Sequence, residues 1–451
     1  MRIVLAVFFL SLVIAAFATD AFASDFSSEP ASNKFSDAEA EAIVSSVNSE
    51  NGMNPVIIVP GLFGSQLEWR LKKAEHSPHF ICKKDTHDSW DSFWIAVHDF
   101  LPLEIDCWLE NMKLELQPNG VSTDRPGVTS RPRFWPSTKG VEYLDDVVGI
   151  EIIAQYAHNF LELLRKAGYE DGRDIFAHSF DFRHSPLNYY QPGGEFDDFY
   201  RLVEYSYKLN GAPAILVTHS MGSLHAVAAL AQKDDAWKAK HIERLITAGA
   251  PYGGAPQMAG AMLNVKEFTL LPPWAKEKDF TPAAMTWCGV GWLAPDPELL
   301  SDPQQTLVTA HGKKYSYGEV EALMGDIKNG MMAQCYHQTR GLFTDKCPTK
   351  DCEPGVRTQV FYGKDIKTEK EYEITKGYGE SFEHIEAKVV AYQPGDGTVP
   401  LDSSTTLPKR WMATGNNGKR IAMAEIPNCK HEDLLKGKVG AETIFKAMFT
   451  V

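Results

Sequence analysis

Three residues far apart in the chain have the types and the order that acyl-transfer chemistry needs. Ser220 lies in Thr218-His219-Ser220-Met221-Gly222, after the apolar run Ala214-Ile215-Leu216-Val217 and before a small-residue stretch, 223–231, that reads as a helix. A strand that turns sharply into a helix at a Ser flanked by small residues leaves the hydroxyl exposed at the helix N-terminus. Free N–H groups there favour a developing negative charge. Asp396 lies in Gly395-Asp396-Gly397-Thr398-Val399-Pro400, after a strand-like run over 387–392. Of 14 histidines, His431 alone follows Asp396. Nucleophile, orienting acid and general base in that chain order predict a serine acyl hydrolase or acyltransferase. Each residue also has a plainer reading: a Ser capping a helix, an Asp in a Gly-Asp-Gly turn, a surface His before Glu432 and Asp433. Strand, turn, acid and His in the expected order favour the first.

The tetrahedral intermediate of acyl transfer needs two aimed N–H groups. One should be the amide of Met221, directly after the nucleophile. The other is expected from Pro60-Gly61-Leu62-Phe63-Gly64-Ser65, a Gly-rich turn closing the buried strand Val56-Ile57-Ile58-Val59, with Leu62 as the candidate donor. Losing one such donor typically costs about 3–4 kcal/mol.

These groups must be carried by a sheet. Helical apolar spacing over 150–167 ends at Gly168, a strand reads over 175–182, and an amphipathic helix over 196–209 leads into the strand before Ser220. Another strand, 244–248, closes at 251–256; the pattern resumes at 358–363, and a last helix reads over 434–449. Such alternation predicts an α/β fold with a mostly parallel sheet covered on both faces. Residues 257–359 break it with an irregular, Trp-rich insertion, placed here as a cap over the site. The hydrolase domain is therefore set at 55–451, with a lid segment at about 66–113.

That lid segment has its own character. Trp90, Phe93, Trp94, Val97 and Leu101 recur at spacings of three and four, so a helix would carry one aromatic and aliphatic stripe. The stripe is either core or a lipid-contacting element. It lies between Cys82 and Cys107, the most convincing disulfide pair of seven cysteines. Cys288, Cys335, Cys347, Cys352 and Cys429 stay unassigned; Cys352 could close a small loop with Cys347 or tie to Cys429. No Cys/His cluster has zinc spacing, so no metal is expected.

The net charge of −14 argues against nucleic acid and against binding anionic membranes by overall charge. Residues 1–23 read as a secretory signal, an apolar run after Arg2 ending at Ala21-Phe22-Ala23. Residues 24–54 read as a flexible acidic leader. No second run of about 18 apolar residues occurs, and no Asn-x-Ser/Thr acceptor is present.

In its ordered motifs the chain resembles the lecithin:cholesterol acyltransferase family, which also includes lysosomal phospholipase A and phospholipid:diacylglycerol acyltransferases. The matching stretches are PVIIVPGLFGSQLEW (55–69), DSFWIAVHDFLPLEIDCWLENM (91–112), FDFR (180–183), THSMGS (218–223), APYGGA (250–255) and GDGTVPL (395–401). The resemblance implies an α/β-hydrolase fold with a disulfide-closed membrane-binding lid and a cap. It implies Ser220, Asp396 and His431 as triad, and Leu62 and Met221 as oxyanion donors. It also implies a lid loop closed by Cys82 and Cys107, with Trp94, beside Trp90 and Phe93, as the lipid-contacting residue. The implied reaction moves a fatty-acyl chain from a glycerophospholipid, through an acyl-enzyme on Ser220, to a sterol, another lipid alcohol or water, without a cofactor. Its partners would be phospholipid membranes or lipoprotein-like surfaces, in a secreted or lysosomal setting. A plain phospholipase A and an inactive lipid-binding protein are the rival readings. Thr218 in the elbow and Phe63 in the oxyanion turn depart from the family pattern.

Overall fold

The computed structural model describes residues 34–47, 53–75, 77–95, 104–144, 155–265, 277–414 and 420–450. Its centre is a six-stranded sheet: β1 (Val56–Val59), β2 (Ile175–Ala177), β3 (Ala214–His219), β4 (Ile242–Ala248), β5 (Thr358–Gly363) and β6 (Ile421–Ile426). The spatial order is β6-β5-β4-β3-β1-β2, and every neighbouring pair is parallel. β1 and β3 are buried along their whole length, as strands covered on both faces must be. Their side chains alternate between two cores with the period of two that a strand imposes. Ile57, Val59 and Leu216 join one core with the helix after Ser220; Val56, Ile58, Ile215 and Val217 join the other. Helices His158–Lys166 and Lys438–Phe449 seal that second core. This is the α/β-hydrolase architecture.

Several boundaries differ from the sequence reading. The strand expected over 175–182 stops at Ala177, and the last helix starts at Lys438, after a short turn at Glu432–Leu434. The signal segment and most of the leader lie outside the described residues. One piece of the leader is not flexible coil: Asp37–Ser45 is a helix whose N-cap Ser36 and Glu39 form a reciprocal capping box. Its Ala40 and Ile43, with Phe35, are buried in the second core. The pattern Ser-x-x-Glu was legible in sequence and marks a helix start.

The insertion after β4 is also more regular than its sequence suggested. It holds helices Glu277–Ala284, Cys288–Trp292, Val320–Asp326 and Gly330–Thr339. Two strands, Thr306–Ala310 and Lys313–Ser316, join Asp365–Lys376 and Glu386–Asp396 in a four-stranded sheet. That last, long strand ends on Asp396. Disulfides join Cys82 to Cys107, Cys288 to Cys335 and Cys347 to Cys352. Cys429 is a buried free thiol, so it does not tie to Cys352. Among the described residues no helix is long and apolar enough to cross a membrane.

Candidate active site

Ser220 is the hinge between β3 and the helix Met221–Ala231, with φ 53° and ψ −127°. A non-glycine residue so far from the favoured regions is strained, and the crowding around it explains why the neighbours are small. A Cβ on Gly222 would stand 2.2 Å from the Pro60 carbonyl oxygen, and one on Gly61 would stand 2.6 Å from Ser220 Cβ. Thr218 fits because its hydroxyl is paired, at 2.8 Å to the Ser223 hydroxyl and donating at 3.1 Å to the Ile246 carbonyl. The departure at that position is therefore accommodated without an orphaned polar atom.

The structure brings Ser220, His431 and Asp396 into one line. His431 Nε2 lies 2.9 Å from Ser220 Oγ, and Nδ1 lies 2.8 Å from Asp396 Oδ2. The backbone adds a second tie, His431 N–H donating to the Asp396 carbonyl at 2.8 Å. Asp396 Oδ1 accepts N–H groups of Thr398 at 3.0 Å and Val399 at 2.6 Å. All three residues are buried. The Gly-Asp-Gly turn is thus a real turn that also aims its carboxylate at the imidazole. Gly249 leaves room for the ring, since a Cβ there would come within 3.0 Å of His431 Nδ1.

The turn after β1 is pinned by hydrogen bonds on both sides of Leu62. Gly61 N–H donates to the Tyr156 hydroxyl at 2.7 Å, and Gly64 N–H to the Gly61 carbonyl at 3.0 Å. Trp94 Nε1–H donates to the Phe63 carbonyl at 3.0 Å. Among the described residues nothing accepts the Leu62 N–H. Met221, the first residue of its helix, likewise has an amide without a partner inside that helix. Phe63 sits at φ 66°, and its ring packs against Trp94, Phe182, Trp287 and Phe280 at centroid distances of 4.9, 5.3, 6.1 and 6.4 Å. An apolar wall therefore stands beside this turn.

The three residues expected to meet lipid are elsewhere. Asp91–Trp94 is a strand, not a helix; Val97 and Leu101 lie outside the described residues. Phe93 is buried against Trp69, with ring centroids 4.5 Å apart. Trp94 is only 1% exposed. Trp90 is half-buried between the guanidinium groups of Arg70 and Arg131. In this structure the rings of Phe93 and Trp94 lie inside the protein, because strand alternation and the Phe63 turn draw them inward. Among the described residues of this segment the exposed large apolar side chains are Phe80, 98% exposed, and Ile81, 43% exposed. Sequence reasoning passed over these two, although Phe-Ile beside Cys82 and Lys83-Lys84 was visible.

One further polar cluster carries ligand atoms close enough for a cation, formed by Asp124, Asp181 and His184. It is filled by Arg183, whose Nη2 lies 2.9 Å from Asp124 and 2.6 Å from Asp181. The FDFR motif thus builds a buried ion pair. Beside it, burial first and then the Asp181 charge push the Glu195 carboxyl up to about 8.

Residues 90–274 match the family model described as lecithin:cholesterol acyltransferase. The lysosomal phospholipase A and acyltransferase of Bos taurus is 29% identical over 384 residues, 84% of this chain and 88% of that protein. The Homo sapiens protein of the same description is 28% identical over 386 residues, covering 84% and 87%. The phosphatidylcholine-sterol acyltransferase of Homo sapiens is 27% identical over 415 residues, covering 87% and 84%.

Proposed function

Because this chain belongs to the lecithin:cholesterol acyltransferase family, we propose that it is a lipid O-acyltransferase with phospholipase A activity, working through an acyl-enzyme on Ser220. The observation that carries this reading is the hydrogen-bonded line Ser220–His431–Asp396 beside an unclaimed Leu62 amide. His431 Nε2 takes the Ser220 proton as Oγ attacks the acyl carbonyl of a glycerophospholipid. The carbonyl π electrons move to oxygen, and that oxyanion meets the Leu62 and Met221 amides. The C–O bond to glycerol then breaks; the lysophospholipid leaves with the proton from His431. In the second half, His431 deprotonates water or a lipid alcohol, and the acyl chain leaves Ser220 as free acid or new ester. The Asp396 carboxylate keeps the imidazole in the tautomer that serves both halves.

The wall of Phe63, Trp94, Phe182, Phe280 and Trp287 supports an acyl chain running beside the oxyanion turn. For the lipid surface we place the contact at Phe80 and Ile81. Lys72, Lys73 and Lys84 are exposed on the same edge, where Ala74 N–H and Thr86 N–H tie the two stretches together. Residues 72–88 carry four lysines against Glu75, Asp85 and Asp88, a small local excess on a chain of net charge −14 that fits anionic headgroups. Three disulfides favour an oxidising compartment, secreted or lysosomal.

The test is product analysis on phosphatidylcholine vesicles with and without cholesterol or another lipid alcohol. New ester supports transfer; free fatty acid alone supports a plain phospholipase A. Ser220→Ala, which removes one oxygen, is expected to lose both activities by several powers of ten. A wild-type protein that a fluorophosphonate does not label would instead be a lipid-binding protein.

A further inference from the structure

A second hydrogen-bonded line runs behind the first and joins the turn after β1, the residue before Ser220 and the His431 backbone. Gly61 N–H donates to Tyr156 Oη at 2.7 Å. Tyr156 Oη lies 2.7 Å from His219 Nδ1, and His219 Nε2 lies 2.9 Å from the carbonyl oxygen of His431. The His431 carbonyl can only accept, so His219 carries a hydrogen on Nε2. Gly61 N–H can only donate, so the Tyr156 oxygen accepts there. With His219 neutral, its Nδ1 is an acceptor and takes the Tyr156 hydroxyl hydrogen. Burial, aided by the neighbouring His431, pushes this imidazole down to about 3, so it stays neutral when His431 4.8 Å away gains a proton.

The residues joined are separated by 95, 63 and 212 positions along the chain. Gly61 precedes the Leu62 amide, His219 precedes Ser220, and the carbonyl belongs to His431 itself. The Tyr156 phenol also lies against Gly64, where a Cβ would stand 2.7 Å from the hydroxyl. So the turn carrying the oxyanion donor rests on this one side chain at two places. Ser220 packs against Gly61 of that turn, but among the described residues no hydrogen bond of the triad itself reaches it.

Resting on the acyl-enzyme reading above, we infer that Tyr156 and His219 are positioning residues that hold the Leu62 amide, the Ser220 elbow and the His431 loop in one register. The chain of bonds sets the distance between the base and the oxyanion donor while staying uncharged. A misplacement of about 1 Å between reacting groups costs on the order of 100-fold in rate, which is the scale of the effect at stake.

Two conservative changes cut the line at different bonds. His219→Gln places an amide N–H where Nε2 points at the His431 carbonyl and gives up the acceptor facing Tyr156. His219→Asn keeps a polar group near Nδ1 and does not reach His431. With nitrophenyl acetate as the probe, His219→Asn is expected to lower kcat about 10- to 100-fold with KM unchanged, while His219→Gln, which keeps the bond to His431 and loses the one to Tyr156, is expected to lose less. Tyr156→Phe is expected to lower kcat, and to add little when combined with His219→Asn. Loss of rate in step with Tm, equal for Asn and Gln, would overturn the inference, as would wild-type kcat in His219→Asn or Tyr156→Phe. If His219→Asn does not fold, Tyr156→Phe, which loses one oxygen, decides alone. Fluorophosphonate labelling keeps the two readings apart. An unlabelled wild type overturns the acyl-enzyme; a labelled wild type beside equally fast Tyr156→Phe and His219→Asn overturns only the positioning role.

Discussion

Replacing Phe80 by Ser tests where the enzyme meets its substrate surface. Because the ring is 98% exposed, its removal takes away almost no packing, and Tm should stay within a degree or so of wild type. In a lipid surface the same ring becomes buried. Fully burying a side chain of this size is worth about 1.5–3 kcal/mol, so vesicle affinity should fall roughly 10- to 100-fold. Adding Ile81→Ser, at a residue already half-covered, should cost less than Phe80→Ser. The neighbouring lysines add a term of their own, about 1 kcal/mol for each one near an anionic surface. Lys83 should contribute least because it pairs with Asp91. That part must vanish at high salt, and with zwitterionic vesicles. The assay is co-sedimentation with vesicles alongside two rates, one on vesicle phospholipid and one on soluble nitrophenyl acetate. Phe80→Ser should lose the first and keep the second. Trp94→Ala should behave in the opposite manner: a buried Trp whose indole holds the Phe63 carbonyl costs about 3–5 kcal/mol of stability, and both rates should fall together. Unchanged vesicle binding in Phe80→Ser, or a Trp94→Ala protein defective on vesicles alone, would refute this placement.

Two other expectations follow from the buried polar groups. Asp396→Asn and His431→Ala should each slow acylation by orders of magnitude, and the double variant should be scarcely worse than the poorer single, because the pair acts as a unit; additive losses in a rapid-mixing assay would contradict that. Thermal unfolding should be most resistant near pH 6.5. Burial pushes His178 and His219 down to about 3, so below the unfolded pKa of about 6.5 the unfolded chain binds protons that the fold does not, and stability falls with pH. Glu195, raised to about 8, holds a proton in the fold that the unfolded chain releases above about 4.3; its contribution is lost as pH rises toward 8. Between those limits the two histidines outweigh the one acid on the acid side. A Tm that climbs steadily from pH 5 to 8 would contradict this balance.

Much of the site was legible because its chemistry is local. A strained Ser between a buried strand and a small-residue helix leaves a signature in five residues, and Gly222 and Gly61 are there because any Cβ would collide. Asp396 could be read from its turn, and His431 from chain order alone. Tyr156 and His219 had no such signature. Their importance comes from partners 95 and 212 positions away, and a Tyr in an amphipathic segment looks like any half-buried residue. The cap was misjudged for a related reason. Its two longest strands, Asp365–Lys376 and Glu386–Asp396, pair with each other beyond the insertion, so the pairing that orders Thr306–Ala310 lies more than 50 residues downstream.

The lid exposes the limit most clearly. Spacings of three and four in Trp90, Phe93 and Trp94 fit a helical stripe, yet the chain there pairs as a strand with Leu67–Leu71. Periodicity reports which residues want to leave water; it does not say whether protein or lipid will receive them. Phe63 decides the matter. Its place in the turn after β1, at φ 66°, presents an aromatic ring and a carbonyl that Trp94 satisfies together, by stacking at 4.9 Å and by donating its indole N–H. A residue without that ring would leave Trp94 with a hydrogen bond but no stack, and a weaker hold on the interior. Phe63 and Trp94 should therefore be read as a pair, in which the departure in the turn helps explain why the tryptophan faces inward. Among the described residues, the large apolar side chains exposed on this segment, next to Cys82 and its disulfide to Cys107, are Phe80 and Ile81. Neither belongs to the aromatic stripe that sequence alone had singled out.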